Sequence, residues 1–486
     1  MQWKTLHVLV LTLTPHAPAI ADEATKTETF DTDPLWQGVN NRSARTHEPV
    51  TIRQDFGYSE TNKAGGKPGE IGGFISPAGE AAFYGKVIET KSFSEPLSAS
   101  GTFSAADGAF HLLLGFFNKD TVHEWRTPNT VAIRLNGRGD HLFAYVEYCT
   151  SKWRAGGDTT PFPSRVDPET GRQGLIGFPS GGRVHRWTLK YDPAGHGGRG
   201  AVTATIDDKS AECLLDEGHK ADGATFNRFG ILNVIKSADT AGEVYFDDIT
   251  INGEVERFDR DPRWEGKNNR ISYPTRLVRP RFDFGWSPTD IARGKSKGEL
   301  GGTVFRGDCR YPERLAAYGD AIGPLSWDKP IRASGKVAMT RGVSDSTTLF
   351  GFYNSADSLR RNDSQSSGLP ECVLGIHIEG PSSDGFCFYP VYRAKGGDSR
   401  AGLSKSSPRI YPDGKSHDWR LEYDPAGAGG KGRITITLDG RSDTLDLGDG
   451  AKSTGTRFDR FGIVTSWIDG NSQDVYWDDI TYTVRQ

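Results

Sequence analysis

The run HDWRLEYDPAGAGGKGRITITLDG, from His417 to Gly440, indicates the fold of this chain. Apolar side chains alternate with polar ones along both halves of it, at Trp419, Leu421 and Tyr423 and again at Ile434, Ile436 and Leu438. Asp, Pro and Gly residues separate the two runs. Alternation on both sides of such a turn is typical of a β-hairpin with one buried face.

The same pattern occurs earlier in the chain. His185–Gly195 matches His417–Gly427 at eight of eleven positions. Nine such matches recur in the same order, beginning with Phe30–Trp36 against Phe258–Trp264, at an offset that drifts between 228 and 240 residues. A period this long indicates a duplication of whole domains rather than a solenoid. We therefore expect a first domain over residues 30–253 and a second over residues 254–486.

The composition favours strands and turns. The 486 residues include 60 glycines, 26 prolines and only two methionines, together with 11 Trp, 16 Tyr and 25 Phe. Such a composition predicts an all-β protein, and about 230 residues per repeat suit two tandem antiparallel β-sandwich (jelly-roll) domains. The net charge is −4, and no region of the chain is strongly basic. Both observations argue against a nucleic-acid partner.

The N-terminus predicts a secretory signal peptide over residues 1–21. Lys4 precedes the short apolar run Leu6–Thr14, and Ala19-Ile20-Ala21 fits an A-x-A cleavage site. Residues 22–29 would then be an N-terminal linker. We expect a secreted protein, extracellular or periplasmic, without a membrane span. The five cysteines form no C-x-x-C motif, and we expect buried free thiols.

The hairpin and the residues that follow it together resemble a known superfamily. His417–Gly440, then R-F-G-I and the closing V-Y-W-D-D-I-T-Y, resemble the concanavalin A-like lectin/glucanase superfamily, particularly its laminin-G-like (LamG-like) jelly rolls. The likeness covers the last third of each repeat best. It implies a jelly-roll fold and a bias toward carbohydrate. It does not decide function, because the superfamily includes lectins, glycoside hydrolases, polysaccharide lyases and adhesion modules.

Central strands are the expected place for a ligand. Alternate residues of two predicted hairpins place an arginine, a carboxylate and several aromatic rings on one face, which suits stacking on a sugar ring and hydrogen bonding to its hydroxyls. The ligand-binding candidates are Arg134, Trp153, Arg154, Asn118, Glu299, His377, Tyr389, Tyr392 and Arg393. The alternative is a solvated outer face with scattered aromatic residues.

Three residues are catalytic candidates: Glu70, Glu147 and Tyr145. Glu70 with Glu147 would serve as the two carboxylates of a glycoside hydrolase. Alternatively, Tyr145 or Tyr389 would abstract a proton beside a uronate that an arginine holds, which is lyase chemistry. The paired-carboxylate motif E-x-D-x-x-E of superfamily glucanases is absent. Glu70 lies in G-E-I-G-G, where site and structural roles are equally compatible with the flanking glycines.

No cofactor is required, but a structural calcium is an expectation. The first and last strands of such jelly rolls usually lie side by side, which would gather hard carboxylate ligands. The predicted groups are Asp31 and Asp33 with Asp247 and Asp248, and Asp259 and Asp261 with Asp478 and Asp479. The alternative is that each Asp-Asp pair only accepts hydrogen bonds from turn amides.

The sequence thus predicts a secreted carbohydrate-recognising protein that binds a polysaccharide on a concave sheet face. Whether it also degrades the glycan stays open. One alternative is a glycoside hydrolase or polysaccharide lyase with carboxylate or Arg/Tyr catalysis. The other is a non-catalytic adhesion or cell-surface structural protein. The expected partner is a glycan, and the sequence leaves its identity and the oligomeric state open.

Overall fold

A computed structural model describes residues 23–42, 50–123, 125, 127–157, 161–166, 168–170, 173–275, 279–363 and 368–485. The predicted signal peptide lies outside these residues. Strands dominate the described chain, which confirms the all-β fold class. Its helical segments are α1 (His219–Asp222) and the 3-10 turns His196–Gly198, Pro312–Arg314, Ala428–Gly430 and Ala451–Thr454. None of these described helices has the length and apolar character needed to cross a membrane.

The first twenty strands precede residue 256. They are β1 (Glu23–Glu28), β2 (Gln37–Val39), β3 (Val50–Ser59), β4 (Glu70–Ile75), β5 (Phe83–Ser92), β6 (Leu97–Ala105), β7 (His111–Phe117), β8 (Thr130–Arg138), β9 (His141–Cys149), β10 (Ala155–Gly156), β11 (Pro161–Phe162), β12 (Ser164–Val166), β13 (Gln173–Leu175), β14 (Phe178–Pro179), β15 (Val184–Asp192), β16 (Ala201–Ile206), β17 (Lys209–Leu214), β18 (Thr225–Asn233), β19 (Gly242–Ile251) and β20 (Glu254–Val255).

Sixteen more described strands follow. They are β21 (Glu265–Lys267), β22 (Arg270–Thr275), β23 (Asp283–Ser287), β24 (Glu299–Phe305), β25 (Ala317–Leu325), β26 (Ile331–Gly342), β27 (Ser346–Tyr353), β28 (Val373–Ser382), β29 (Gly385–Arg393), β30 (Ser399–Ala401), β31 (Arg409–Ile410), β32 (Ser416–Asp424), β33 (Arg433–Leu438), β34 (Arg441–Asp446), β35 (Phe458–Val464) and β36 (Ser472–Arg485).

The run His417–Gly440 forms the predicted hairpin. Strand β32 pairs antiparallel with β33, so that Trp419 faces Leu438 and Tyr423 faces Ile434. These side chains are buried in the core, while the residues between them are exposed or half-buried. Each buried aromatic or branched side chain of such a pair contributes about 1.5–3 kcal/mol to folding by leaving water.

The strands form two sandwiches, each of two antiparallel sheets around one core. In the first sandwich, one sheet has the order β17-β16-β15-β6-β19-β4-β3-β22 and the other β10-β9-β8-β7-β18-β5-β21. In the second, the orders are β23-β24-β36-β26-β32-β33-β34, with β1 beside β36, and β2-β25-β35-β27-β28-β29-β30. A separate large cluster of buried apolar side chains lies between the sheets of each.

The boundaries of the two sandwiches differ from the predicted ones at residues 253 and 254. Residues 254–275, here called the second arm, pair with strands of the first sandwich. Residues 23–42, the first arm, pair with strands of the second sandwich through β1 and β2. The first sandwich is therefore residues 50–275, and the second is residues 279–485 completed by the first arm.

The reason for this difference lies in the repeat itself. The arm motif opens each sequence repeat, so periodicity alone does not tell whether it belongs to the unit before it or after it. Strand pairing shows that the second arm belongs to the sandwich before it. The second sandwich then takes the corresponding piece from the first arm, which is more than 270 residues distant from its partner strand β25.

Both arms dock through matching contacts. Asn41 donates to the Phe284 carbonyl, and Asn269 donates to the Phe56 carbonyl, each at 2.6 Å. Trp36 packs beside Tyr318, with 5.9 Å between ring centroids, and Trp264 stacks on Tyr84 at 5.7 Å. An arginine also binds each arm. Arg228 donates to Glu265 of the second arm, and Arg460 donates to Gln37 of the first arm.

Candidate functional site

The predicted ligand face lies on the outer side of β8 and β9. Ile133 and Val146 point into the core, so period-two alternation turns Arg134, Tyr145 and Glu147 outward. Strand pairing sets Arg134 directly opposite Tyr145. The structure thus brings together three side chains that the sequence had grouped.

Arg134 is the centre of a closely packed cluster. Its Nε donates to Glu147 Oε2 at 2.8 Å, and its guanidinium carbon lies 3.9 Å from the Tyr145 ring centroid and 5.3 Å from that of Trp125. Its Nη1 lies 3.2 Å from His111 Nε2. A guanidinium only donates, so Nε2 must be the acceptor and the neutral ring carries its proton on Nδ1. Burial and the adjacent Arg134 hold the pKa of His111 well below its usual range.

This cluster is neutralised internally. The side chains of Arg134 and Glu147 are only 6% and 4% exposed. Neutralising or removing one partner of such a buried charge pair would strongly destabilise the fold, because the other charge would remain buried without compensation. Glu147 is therefore poorly placed as an acid or base, and Arg134 as the receptor of a uronate. Both act better as supports for the aromatic rings around them.

Two tryptophans extend this face toward the second sandwich. Trp125 and Trp153 line a small cavity with Pro381 and Phe386, residues that flank the β28–β29 turn. Both indole N–H groups are buried without a hydrogen-bond partner. Both rings are half-buried. Trp153 was predicted, whereas Trp125 was missed because it lies in the β7–β8 connection, where no periodicity indicates which side chains face the sheet.

Arg154 holds the two sandwiches together. Its Nε donates to Asp222 Oδ2 at 2.5 Å, and its Nη1 lies 3.6 Å from Asp384 of the second sandwich. Beside it, the Ala155 N–H donates to the Ser383 carbonyl at 2.8 Å. The predicted ligand-binding role of Arg154 is thus replaced by a junction role, because two carboxylates already occupy its guanidinium.

Glu70 does not join Glu147. Ile71 and Ile75 point into the core, so Glu70 faces outward from the opposite sheet of the sandwich. Its carboxylate is fully buried and accepts hydrogen bonds from the Lys63 and Ala64 N–H groups at 2.9 and 2.7 Å. The predicted pair of catalytic carboxylates is therefore wrong, since the two groups point away from each other.

Other polar residues that both repeats contain likewise stabilise loops by hydrogen bonds. Glu299 accepts hydrogen bonds from the Ile291 and Ala292 N–H groups at 2.9 and 2.7 Å, as Glu70 does in the first sandwich. Asn118 donates to Thr225 Oγ1 at 2.8 Å. Two side chains that were predicted to bind a ligand are thus engaged in hydrogen bonds within the protein.

The second sandwich carries a different polar cluster in the corresponding place. His377 lies opposite Tyr389, as Arg134 lies opposite Tyr145. The Tyr389 hydroxyl donates to Glu379, so it must accept from His377 Nδ1, 3.1 Å away. His377 Nε2 therefore carries no proton, and it is buried without a partner. Burial lowers the pKa of His377 to about 4, and burial next to Glu379 raises that of Tyr389.

Two further candidates of this sandwich are engaged in its interior. Tyr392 points into the core, and its hydroxyl bonds Asp398 and the Gly448 N–H at 2.6 Å each. It shares no face with Tyr389, because three residues along a strand reverse the side. Arg393 is 4% exposed, and its guanidinium carbon lies 4.7 Å from the Trp467 ring centroid. The prediction that both contact a ligand is not supported by these positions.

The first expected calcium group is not assembled. Asp31 and Asp33 were predicted beside Asp247 and Asp248, but they belong to the first arm and lie on the second sandwich. Asp33 there accepts a hydrogen bond from the Tyr318 hydroxyl at 3.2 Å. The prediction is wrong because it assigned the arm to the sandwich that follows it.

The second expected group is divided in the same way. Asp259 and Asp261 lie on the first sandwich, apart from Asp478 and Asp479 of β36. Asp261 is 3.3 Å from the Tyr84 hydroxyl, and the charge of Asp259 contributes to raising the pKa of Asp247.

Each Asp-Asp pair instead bonds its own backbone. Asp247 Oδ1 accepts from the Asp248 N–H, and Asp478 Oδ1 accepts from the Asp479 N–H, both at 2.7 Å. In the described part of the chain, no three Asp, Glu, His or Cys side chains converge as a metal site would require. The five cysteines, Cys149, Cys213, Cys309, Cys372 and Cys387, are buried and unbridged.

Comparisons with known proteins yield structural matches only. No family model and no curated sequence matches the chain. Domains LG4-5 of the mouse laminin alpha1 chain match at 12% identity and a TM-score of 0.22, covering 82% of this chain and 90% of that one. An alginate lyase variant in complex with alginate trisaccharide matches at 13% and 0.25, covering 42% and 88%. The Emp47p carbohydrate recognition domain matches at 7% and 0.25, also covering 42% and 88%.

Proposed function

We propose that this chain is a secreted carbohydrate-binding protein of concanavalin A-like jelly rolls, and that a polysaccharide binds where Trp125 and Trp153 meet the β28–β29 turn. One observation carries the proposal: two half-buried indole rings border the same small cavity, and each leaves part of its ring open to solvent. The C–H face of a sugar ring packs favourably on an aromatic face.

The Arg134 cluster supports this site from below. Because Trp125 and Tyr145 lie against the buried guanidinium, their ring orientations are constrained before any ligand arrives. Such preorganisation reduces the entropy lost on binding. In this proposal Arg134 and Glu147 are positioning residues that the ligand does not touch.

The test is binding to a panel of polysaccharides by pull-down and affinity electrophoresis. Trp153→Ala should weaken binding by about 1–3 kcal/mol, the range for losing an aromatic anchor. Trp153→Phe keeps a ring but no N–H, so its loss should be smaller. Leu403→Ala, an exposed change on the second sandwich, serves as the control. Wild-type affinity in Trp153→Ala would refute the site.

A second candidate function rests on the His377 cluster. The unprotonated Nε2 of His377, held by Tyr389 and Glu379, has the free lone pair that a general base needs, although burial makes it a weak base with a pKa of about 4. It supports a polysaccharide lyase as the alternative to pure binding. Incubation with uronate polymers should then release ultraviolet-absorbing unsaturated ends, and His377→Gln should abolish their release while leaving binding at Trp153 intact. No release by the wild-type protein from any polymer would reject the enzyme.

A further inference from the structure

The second arm carries three arginines that line one open cavity. Arg257, Arg260 and Arg263 surround a space of about 650 Å³ together with Asp261 and Pro262. All three arginines are exposed. None of them forms an ion pair with any carboxylate in the described ranges of the chain, although acidic residues are frequent along this arm.

Four of the five acidic residues of this arm are engaged elsewhere. Glu254 and Glu256 bind Lys86, and Glu265 binds Arg228. Asp261, inside the cavity, accepts a hydrogen bond from the Arg263 N–H at 2.8 Å. These four carboxylates thus neutralise other cations or bond the backbone. Asp259, beside Arg260, forms no ion pair in the described ranges, and the three guanidinium groups remain available.

The arm also holds these arginines in place. Phe258 and Trp264 are 3% and 8% exposed, and their rings meet edge to face with centroids 5.7 Å apart. Both anchors lie between or beside the arginines in sequence, so the backbone that carries the charges is fixed to the sandwich. A fixed backbone keeps the three exposed guanidiniums on one stretch of the surface, so that a polyanion meets them as a group and forms charge-assisted hydrogen bonds to several of them.

From this arrangement we infer that the second arm is a binding site for the anionic groups of a polysaccharide, uronate carboxylates or sulfate esters. The inference rests on the proposed function only for the class of ligand, a glycan. The equivalent positions of the first arm, at the offset of 228 residues, are Thr29, Thr32 and Leu35. The site is therefore present on the first sandwich alone, and it is separate from Trp153.

Three probes distinguish the anion: dextran sulfate, polygalacturonate and uncharged dextran. The full-length protein should bind one or both anionic polymers and not dextran, with affinity falling as NaCl increases. Arg257→Gln/Arg260→Gln/Arg263→Gln should weaken that binding roughly 3- to 100-fold, the sum expected for three exposed ion pairs. Preference for dextran sulfate indicates sulfate esters, and preference for polygalacturonate indicates uronates.

A matched control removes the same charge elsewhere. Arg183→Gln/Arg186→Gln/Lys190→Gln takes three exposed cations from the region of β15 and should leave binding unchanged. Salt separates this site from the proposed one: the loss in the triple arginine variant should disappear at high NaCl, whereas a loss in Trp153→Ala should persist there. Conversely, Thr29→Arg/Thr32→Arg/Leu35→Arg should increase binding. Equal losses in the two charge-removal variants, or no loss in the first, would overturn the inference.

Discussion

Asp478 is a carboxylic acid in an unfavourable place. It is fully buried in β36, its Oδ2 has no partner, and burial raises its pKa to about 7. Its ordinary pKa is 3.8, so the folded state holds a proton that the unfolded state releases. The free energy of unfolding should therefore fall as the pH rises from about 4 to about 7.

Asp478→Asn removes this titration. Above pH 7 the variant should be more stable than the wild type by on the order of 2–4 kcal/mol, and below pH 4 the two should agree. Thermal unfolding across this pH range, in EDTA, measures the difference. The same experiment with calcium tests the expected ion: a calcium-dependent rise in Tm that Asp478→Asn abolishes would favour it, and no rise in the wild type would reject it.

Trp36 shows how much an arm contributes to a sandwich. It is 6% exposed, and its ring centroid lies 5.3 Å from that of Phe30 and 6.0 Å from that of Tyr482. Trp36→Ala should destabilise the second sandwich by about 3–5 kcal/mol, the usual cost of such a cavity. Hydrogen exchange should accelerate in β25 and β36.

Trp264→Ala is the matched variant on the other arm. It should accelerate exchange in β5 and β3 of the first sandwich and leave β25 and β36 protected. If either substitution affected both sandwiches equally, the assignment of each arm to one sandwich would be wrong.

Sequence patterns predicted some of these elements well and others poorly. Alternation identified β32 and β33, and it grouped Arg134, Tyr145 and Glu147, because period two dictates which side chains share a face. It could not predict that Glu70 faces away from Glu147. That depends on which sheet each strand joins, a long-range property without a local signal. Trp125 was missed for a related reason, since its loop position follows from tertiary packing.

The whole molecule divides between residues 275 and 279 rather than at 253. A fragment of residues 50–275 contains a complete first sandwich, including Trp264. A fragment of residues 30–253 lacks β21 and β22 and carries an arm with no site to occupy. It should melt roughly 6–20 °C lower, from the loss of the Trp264 packing alone.

The second sandwich offers the complementary test. Residues 279–486 alone lack the first arm, and a synthetic peptide of residues 22–42 should raise their Tm in a concentration-dependent manner. Peptide with Trp36→Ala should raise it much less. A fragment of residues 279–486 whose Tm does not respond to the peptide would contradict the role of the first arm.

The docking of the first arm has a consequence for synthesis on the ribosome. The first sandwich is complete once residue 275 has emerged, whereas the second needs a segment that was made first and must wait for β36, some 450 residues later. At roughly 5–20 residues per second, that delay lasts tens of seconds. During it, the waiting Asn-Asn-Arg segment meets a nascent first sandwich that forms the same contacts with its own arm. Both arms are joined covalently to that sandwich, one at each end of it, so the two compete for one docking position until the second sandwich has emerged.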